Sequence, residues 1–308
     1  MLRTALRRIT ALCVPLAAAS AVVACGGNAP AVPSGLIAAV GAENEYANVI
    51  SQIGGRDVSV TAVESNPNTD PHAYEASPSV ARLVSSARVV VQNGLGYDSY
   101  MDKIENASAN SRRKVIDVQK LLGLPDSTPN PHLWYEPGTM AAVAKALSGD
   151  LAAIEPANAS YFRANLKRFD ESLKPWYEAL KAFAARYPKI PVATTEPVAD
   201  YMLGAAGAVD MTPFSFQADI MNGVDPAPQA VSFQDSLLSA HRVRVLLYNQ
   251  QVTDSLTQSF IAAAKKSGIP VVGVYETMPT GYRYQSWMLA EVSALAKAVA
   301  HGVSTQKL

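Results

Sequence analysis

The chain has 308 residues, and its 26 lysines and arginines balance 26 aspartates and glutamates, so the formal net charge is zero. Without a basic block this balance disfavours nucleic-acid binding. Both cysteines, Cys13 and Cys25, lie near the N-terminus. The rest of the chain therefore offers no thiol for a disulfide, a cysteine-ligated zinc ion or a cysteine nucleophile.

The N-terminus has the pattern of a secretory signal. Arginines at positions 3, 7 and 8 precede an apolar run that ends in Val-Val-Ala-Cys-Gly-Gly. This run is shorter than a typical transmembrane helix. Small residues before a cysteine resemble the lipobox of bacterial lipoproteins, which implies a lipid on Cys25; an ordinary secretory signal is the alternative. We expect a signal peptide over residues 1–24 and a lipidated tether over residues 25–34. The folded body would then lie on the outer face of the cytoplasmic membrane.

Short apolar runs alternate with amphipathic runs along residues 35–308. The apolar runs are rich in valine and isoleucine, which is typical of strands buried on both faces of a parallel sheet. They predict strands at Leu36–Val40, Val58–Val63, Val89–Gln92, Val115–Val118, Pro191–Thr195, Val209–Met211, Val243–Tyr248 and Val271–Tyr275. The amphipathic runs predict helices at Glu43–Ile53, from Ser77-Pro78, and at Tyr97–Ile104, Pro137–Ile154, Pro197–Ala206, Pro228–His241, Ser255–Lys266 and Tyr284–His301. This alternation predicts an α/β architecture with right-handed crossovers.

The middle of the chain has a different pattern. Between Pro156 and Arg186 apolar residues recur every three or four positions, which predicts one long amphipathic helix, or two joined near Pro175. Because four predicted strands lie on each side, we expect two lobes, each with a mainly parallel four-stranded sheet flanked by helices. The N-terminal lobe would span residues 35–155, a rigid linking helix 156–188 and the C-terminal lobe 189–308. A crossover helix within a single sheet is the alternative.

Two of the four histidines lie in nearly the same short phrase. Asp-Pro-His-Ala-Tyr spans residues 70–74, and Asn-Pro-His-Leu-Trp spans residues 130–134. Proline fixes its own φ and restricts the residue before it, so each phrase predicts a stiff loop that orients one imidazole. Two oriented imidazoles, His72 and His132, suit a transition metal.

Two carboxylates follow predicted strands of the second lobe. Glu196 comes directly after Pro191–Thr195, and Glu276 directly after Val271–Tyr275. Ligands of α/β sheets collect beyond the carboxyl ends of the strands, where both histidines also lie. The sequence therefore predicts one metal site in the cleft between the lobes. The alternatives are a helix-N-terminal carboxylate for Glu196 and an ordinary loop glutamate for Glu276.

The histidine phrases resemble the metal-binding lipoproteins of bacterial ABC importers for manganese and zinc. The segment Thr-Thr-Glu-Pro-Val-Ala-Asp-Tyr at residues 194–201 is similar to that family's third-ligand segment. The resemblance covers essentially the whole chain and implies His72, His132 and Glu196 as ligands of an ion held between two lobes. The family usually supplies an aspartate after the last strand. This chain has Glu276 there, with Asp254 as the alternative fourth ligand.

The resemblance implies a solute-binding lipoprotein that catalyses no reaction. We expect a monomer, held at the membrane by its lipid, that captures a divalent transition metal as transported ligand and delivers it to an ABC permease. Carboxylates beside histidines favour manganese, whereas zinc binds most nitrogen and oxygen sites more tightly, so manganese is favoured with zinc close behind. The rival interpretation is a secreted metallohydrolase with an open metal position. An adhesion role remains a secondary possibility.

Overall fold

Two parallel sheets organise the computed structural model, which describes residues 35–308. The predicted signal peptide, Cys25 and the tether lie outside the described residues. The strands of the described part are β1 Ile37–Glu43, β2 Val58–Glu64, β3 Val89–Gln92, β4 Lys114–Asp117, β5 Pro191–Thr194, β6 Val209–Asp210, β7 Leu246–Asn249 and β8 Val271–Val274. The first sheet has the order β2-β1-β3-β4 and the second the order β6-β5-β7-β8, with every neighbouring pair parallel.

Helices connect the strands and cover both sheets. They are α1 Asn44–Gly54, α2 Pro78–Ser86, α3 Ser99–Ala107, α4 Val118–Leu121, α5 Thr139–Ile154, α6 Ala159–Arg186, α7 Asp200–Ala205, α8 Phe214–Met221, α9 Pro228–Ser239, α10 Ser255–Lys266 and α11 Tyr284–His301. Among these described helices, none combines the length and apolar character needed to cross a lipid bilayer. The predicted fold class, two four-stranded parallel sheets with flanking helices, is confirmed.

The long helix α6 separates the two sheets in the sequence. Its 28 residues correspond to a length of about 42 Å at 1.5 Å per residue. One face is buried and carries Phe162, Phe169, Leu173, Trp176, Leu180 and Phe183. Pro175 lies inside the helix, so of the two alternatives, one continuous helix is the one observed.

The two sheets share one apolar core. The largest cluster of buried side chains includes Val91 of the first sheet, Val274 of the second, Trp176 of α6 and Trp287 of α11. Residues 35–308 accordingly belong to one compact unit. The lobe boundaries predicted at residues 155 and 188 stay predictions.

Two strands extend beyond their predicted ends. β1 continues to Glu43 and β2 to Glu64, and these two glutamates are register partners on neighbouring strands. Both are buried, which an apolar pattern cannot reveal. The short helix α4 was not predicted; Val118 starts it rather than ending β4, because the Asp117 side chain accepts a hydrogen bond from the backbone N–H of Lys120 and so caps the first turn.

A buried carboxylate on α11 makes the stability of this core depend on pH. Glu291 is 1% exposed. Its Oε1 accepts hydrogen bonds from Trp287 Nε1 at 2.9 Å and the Tyr135 hydroxyl at 3.3 Å, and its Oε2 has no partner. Burial raises the pKa of Glu291 from the ordinary 4.5 to about 8. The folded state therefore retains a proton that the unfolded chain releases, and stability is lost as the pH rises through this range.

We predict that Glu291→Gln, which keeps the shape of the side chain without its charge, reduces this loss. The unfolding free energy of the wild type should fall more steeply between pH 5 and pH 8 than that of the variant, by at most about 1.4 kcal/mol per pH unit for this group. Urea denaturation at closely spaced pH values measures both slopes. Equal slopes would contradict a protonated Glu291.

Candidate metal centre

The two histidine phrases share one local hydrogen bond. In each phrase, the side chain two residues before the histidine accepts a hydrogen bond from the backbone N–H of that histidine. Asp70 Oδ1 accepts from His72 at 2.8 Å, and Asn130 Oδ1 accepts from His132 at 3.0 Å. Such local bonds compete with regular secondary structure and fix a turn. A single turn of 3₁₀ helix accompanies each bond, but it includes His72 at Pro71–Ala73 and begins one residue after His132 at Leu133–Tyr135. The stiff loops predicted from the proline positions are therefore built by proline together with an accepting side chain.

Glu276 of the second lobe contacts the histidine of each of these loops. It lies two residues beyond the end of β8. Its Oε2 lies 3.1 Å from His72 Nε2 and 3.2 Å from His132 Nε2, and one ligand atom from each of these three residues falls within 4.8 Å of the others. Two ligands bound tetrahedrally to one ion with bonds of about 2.0–2.1 Å lie about 3.3 Å apart. The three side chains thus have the mutual spacing that a shared ion requires.

Two of the three clustered side chains are buried, and the third is partly exposed. The side chains of His132 and Glu276 are 0% exposed, whereas that of His72 retains 23%. Burial alone raises the pKa of Glu276, but hydrogen bonds from His132 and His72 outweigh it and hold that pKa well below its usual range. Burial lowers the pKa of His132. Burial also lowers the pKa of His72, but the hydrogen bond to Glu276 and the charge of that carboxylate outweigh it, so the pKa of His72 is raised.

Asn130 selects the nitrogen that His132 presents to the site. Its Oδ1 lies 2.7 Å from His132 Nδ1. Because an amide oxygen only accepts, Nδ1 carries a proton, so Nε2 is the nitrogen that holds the lone pair once the imidazole is neutral. This is the nitrogen that faces Glu276.

Glu196, also predicted as a ligand, is not part of this cluster of three but lies next to Glu276. It is 2% exposed, and its Oε2 accepts a hydrogen bond of 3.2 Å from Asn249 Nδ2, which also donates to Glu276 Oε1 at 2.6 Å. Its other oxygen, Oε1, is buried without a hydrogen-bond partner. Burial, and then the charge of Glu276, raise the pKa of Glu196 well above its usual range. Since an unpaired buried carboxylate oxygen is unfavourable, this atom fits the role of a further ligand.

The alternative fourth ligand, Asp254, is used elsewhere. Its Oδ1 accepts from the backbone N–H of Thr257 at 2.7 Å, and the Thr257 hydroxyl accepts from the backbone N–H of Asp254. This capping box starts α10. Among the described residues, the cluster of potential ligands likewise contains neither His241 nor His301; His241 follows α9, and His301 ends α11.

Three polar side chains at the site were not anticipated as site residues. The Tyr97 hydroxyl donates to Glu276 Oε2 at 2.9 Å, Asn249 bridges the two glutamates, and Gln251 holds the backbone beyond β8. Their position in the chain could have indicated them: Tyr97 follows β3, Asn249 is the last residue of β7 and Gln251 lies two residues beyond it. Both are carboxyl ends of parallel strands, where functional side chains gather.

Comparisons with known proteins give one family match and several relatives. A family model described as zinc-uptake complex component A, periplasmic, matches residues 40–298. The manganese-binding lipoprotein MntA of Bacillus subtilis (strain 168) is 27% identical over 42% of this chain and 44% of its own length. The manganese ABC transporter substrate-binding lipoprotein PsaA of Streptococcus pneumoniae serotype 4 is 22% identical over 96% of this chain and 100% of its own length.

Solved structures share the fold. The substrate-binding protein FpvC of Pseudomonas aeruginosa, in complex with Mn²⁺, is 19% identical, with a TM-score of 0.70 over 87% of this chain and 99% of that chain. A crystal structure of ZnuA is 21% identical, with a TM-score of 0.69 over 86% of this chain and all of that chain. At these identities the likeness concerns the architecture.

The Gln251 side chain forms hydrogen bonds with the backbone of the loop that carries Glu276. Its Oε1 accepts from the backbone N–H groups of Glu276 at 2.7 Å and Thr277 at 2.8 Å. Its Nε2 donates to the carbonyl oxygen of Thr69 at 2.7 Å and to the Thr277 hydroxyl at 3.1 Å. All four hydrogen-bonding positions of the amide are occupied. This one side chain thus joins the Glu276 loop to the segment just before His72.

We predict that Gln251→Ala loosens this loop. The backbone amides of Glu276 and Thr277 should exchange with deuterium roughly five- to tenfold faster, because each loses an acceptor with a net value of about 1 kcal/mol. The matched control is Gln250→Ala, since Gln250 Nε2 has no partner. Unchanged exchange in Gln251→Ala would show that the loop is held by other contacts.

Proposed function

We propose that this chain, which belongs to the family of zinc-uptake complex component A, captures a manganese or zinc ion for an ABC importer. The family match over residues 40–298 confirms the resemblance predicted from the histidine phrases. The observation that carries the proposal is the convergence of His72 and His132 from the first lobe with Glu276 from the second. Loops from the two halves of the chain thereby contribute to one ion site.

The proposed ligands are His72 Nε2, His132 Nε2, Glu276 Oε2 and Glu196 Oε1. The first three are mutually close, and the fourth is the buried carboxylate oxygen without a partner. Two imidazoles and two carboxylates suit Mn²⁺ and Zn²⁺, whereas soft ions prefer thiolates. Residues 35–308 contain no cysteine.

Manganese is the favoured ion in this proposal, with zinc close behind. Glu196 adds a second carboxylate where a third histidine would favour zinc. The relatives MntA and PsaA are both described as manganese proteins. The family description, by contrast, names zinc uptake, and zinc has the higher intrinsic affinity for such donors.

We also propose that the bound ion is transported and takes part in no reaction. Four protein ligands leave little room for the activated water that a metallohydrolase requires. His132, Glu196 and Glu276 are buried, which restricts the approach of an ester or phosphate substrate. The hydrolase alternative predicts turnover of such substrates by the metal-loaded protein, and the transport proposal predicts none.

Alanine substitution of each proposed ligand tests the site. We predict that the wild type binds one Mn²⁺ or Zn²⁺ per chain. His72→Ala, His132→Ala, Glu276→Ala and Glu196→Ala should each weaken binding by more than about 100-fold, since even outer-shell changes at metal sites cost 10–100-fold. Calorimetry and elemental analysis measure affinity and stoichiometry.

The chain contains its own matched controls. His241→Ala and His301→Ala remove the other two histidines, both outside the cluster, and should bind like the wild type. Wild-type affinity in Glu276→Ala would remove this residue from the ligand set. Loss of binding in His241→Ala would place the site elsewhere.

Delivery to a membrane permease is the physiological part of the proposal. We propose that a lipid on Cys25 holds a monomer at the outer face of the cytoplasmic membrane. In cells lacking the chain, the wild type should restore manganese or zinc uptake at limiting metal and His132→Ala should not. Cys25→Ser should release the protein into the soluble fraction while the purified protein still binds the ion. Uptake restored by His132→Ala would contradict delivery through this site.

A further inference from the structure

Asn249 stands between the two glutamates of the second lobe. It is the last residue of β7 and is 0% exposed. Its Nδ2 lies 2.6 Å from Glu276 Oε1 and 3.2 Å from Glu196 Oε2. The two protons of one amide nitrogen are therefore sufficient to engage one oxygen of each carboxylate.

A backbone hydrogen bond fixes the orientation of the Asn249 amide. Asn249 Oδ1 accepts the backbone N–H of Gln251 at 3.0 Å, so Nδ2 is the end that faces the carboxylates. The backbone N–H of Asn249 donates to the Thr195 hydroxyl at 3.2 Å, which ties β7 to the residue just before Glu196. Rotating the amide would break the bond to Gln251 and set an oxygen against two carboxylates.

Each glutamate consequently has one oxygen on Asn249 and a second oxygen that this amide does not contact; in Glu276 the second oxygen, Oε2, also accepts from the Tyr97 hydroxyl. Glu276 directs Oε2 at both imidazoles, and Glu196 Oε1 has no partner. We propose that Asn249 is a specificity-determining residue, which limits Glu196 and Glu276 to one ligand oxygen each. The inference rests on the proposed function, because it concerns the ion held by that ligand set.

The number of ligand oxygens bears on which ion is preferred. Zn²⁺ favours four ligands in tetrahedral geometry, whereas Mn²⁺ suits six-coordinate, oxygen-rich surroundings. A carboxylate that binds through both oxygens adds a ligand without adding a residue. By occupying the second oxygen of both glutamates, Asn249 shifts the balance towards four-coordinate ions and so opposes the manganese preference conferred by Glu196.

The test uses Asn249→Ala and Asn249→Leu. In both, the second oxygen of each glutamate becomes available to the ion. The ratio of the Kd for Mn²⁺ to the Kd for Zn²⁺, measured by competition, should fall by about tenfold or more relative to the wild type. Co²⁺ reports coordination number directly: the wild-type complex should show the intense visible absorption of four-coordinate Co²⁺, and the variants the weak absorption of higher coordination.

Gln250→Ala is the matched control. This neighbouring amide at the same strand end has an Nε2 without a partner, so its removal should leave the Kd ratio and the Co²⁺ spectrum unchanged. Thermal melts establish that each variant folds. If Asn249→Ala does not fold, Asn249→Leu, which keeps the branched shape of the side chain without its polar atoms, provides the measurement.

The outcomes separate the two proposals. If the wild type binds neither Mn²⁺ nor Zn²⁺, the proposed function fails. If the wild type binds both ions but Asn249 variants keep its Kd ratio and its Co²⁺ spectrum, the function stands and the role of Asn249 is overturned. A wild-type Co²⁺ spectrum typical of six ligands would also overturn it.

Discussion

The contact between the buried carboxylate of Glu276 and two imidazoles is the one on which the site depends. Glu276 has no exposed side-chain surface, and a buried charge is strongly unfavourable unless it is paired. Its partners, His72 and His132, belong to the other lobe, so the two sheets must face each other with their carboxyl edges. A cation with the same ligands would satisfy the same charge and also the unpartnered Oε1 of Glu196.

The fold holds this meeting point through amide side chains that cross between the lobes. Asn130 donates to the carbonyl oxygen of Pro197 at 2.8 Å, just after Glu196. Asn44 exchanges two hydrogen bonds with the backbone of Met278, just after Glu276. Gln251 joins the Glu276 loop to Thr69. Together with the shared core, these hydrogen bonds fix the conformation of the ligand-bearing loops in the absence of an ion. Binding therefore loses less conformational entropy.

Much of the architecture could be predicted, because strands buried on both faces have an apolar pattern that is hard to mistake. The histidines were found from a repeated proline phrase, and the glutamates from their place after strands. The supporting residues were harder to find. Tyr97, Asn249 and Gln251 act through hydrogen bonds across long sequence separations, such as 179 residues between Tyr97 and Glu276, and no local period records such contacts. The buried glutamates at the ends of β1 and β2 were missed because an apolar pattern does not record a buried carboxylate.

Anomalous diffraction from crystals grown with Mn²⁺ or Zn²⁺ tests the central claim most directly. Our account predicts one peak per chain, about 2.0–2.2 Å from His72 Nε2, His132 Nε2, Glu276 Oε2 and Glu196 Oε1. A peak ligated by residues of one lobe alone, or one remote from Glu276, would contradict it.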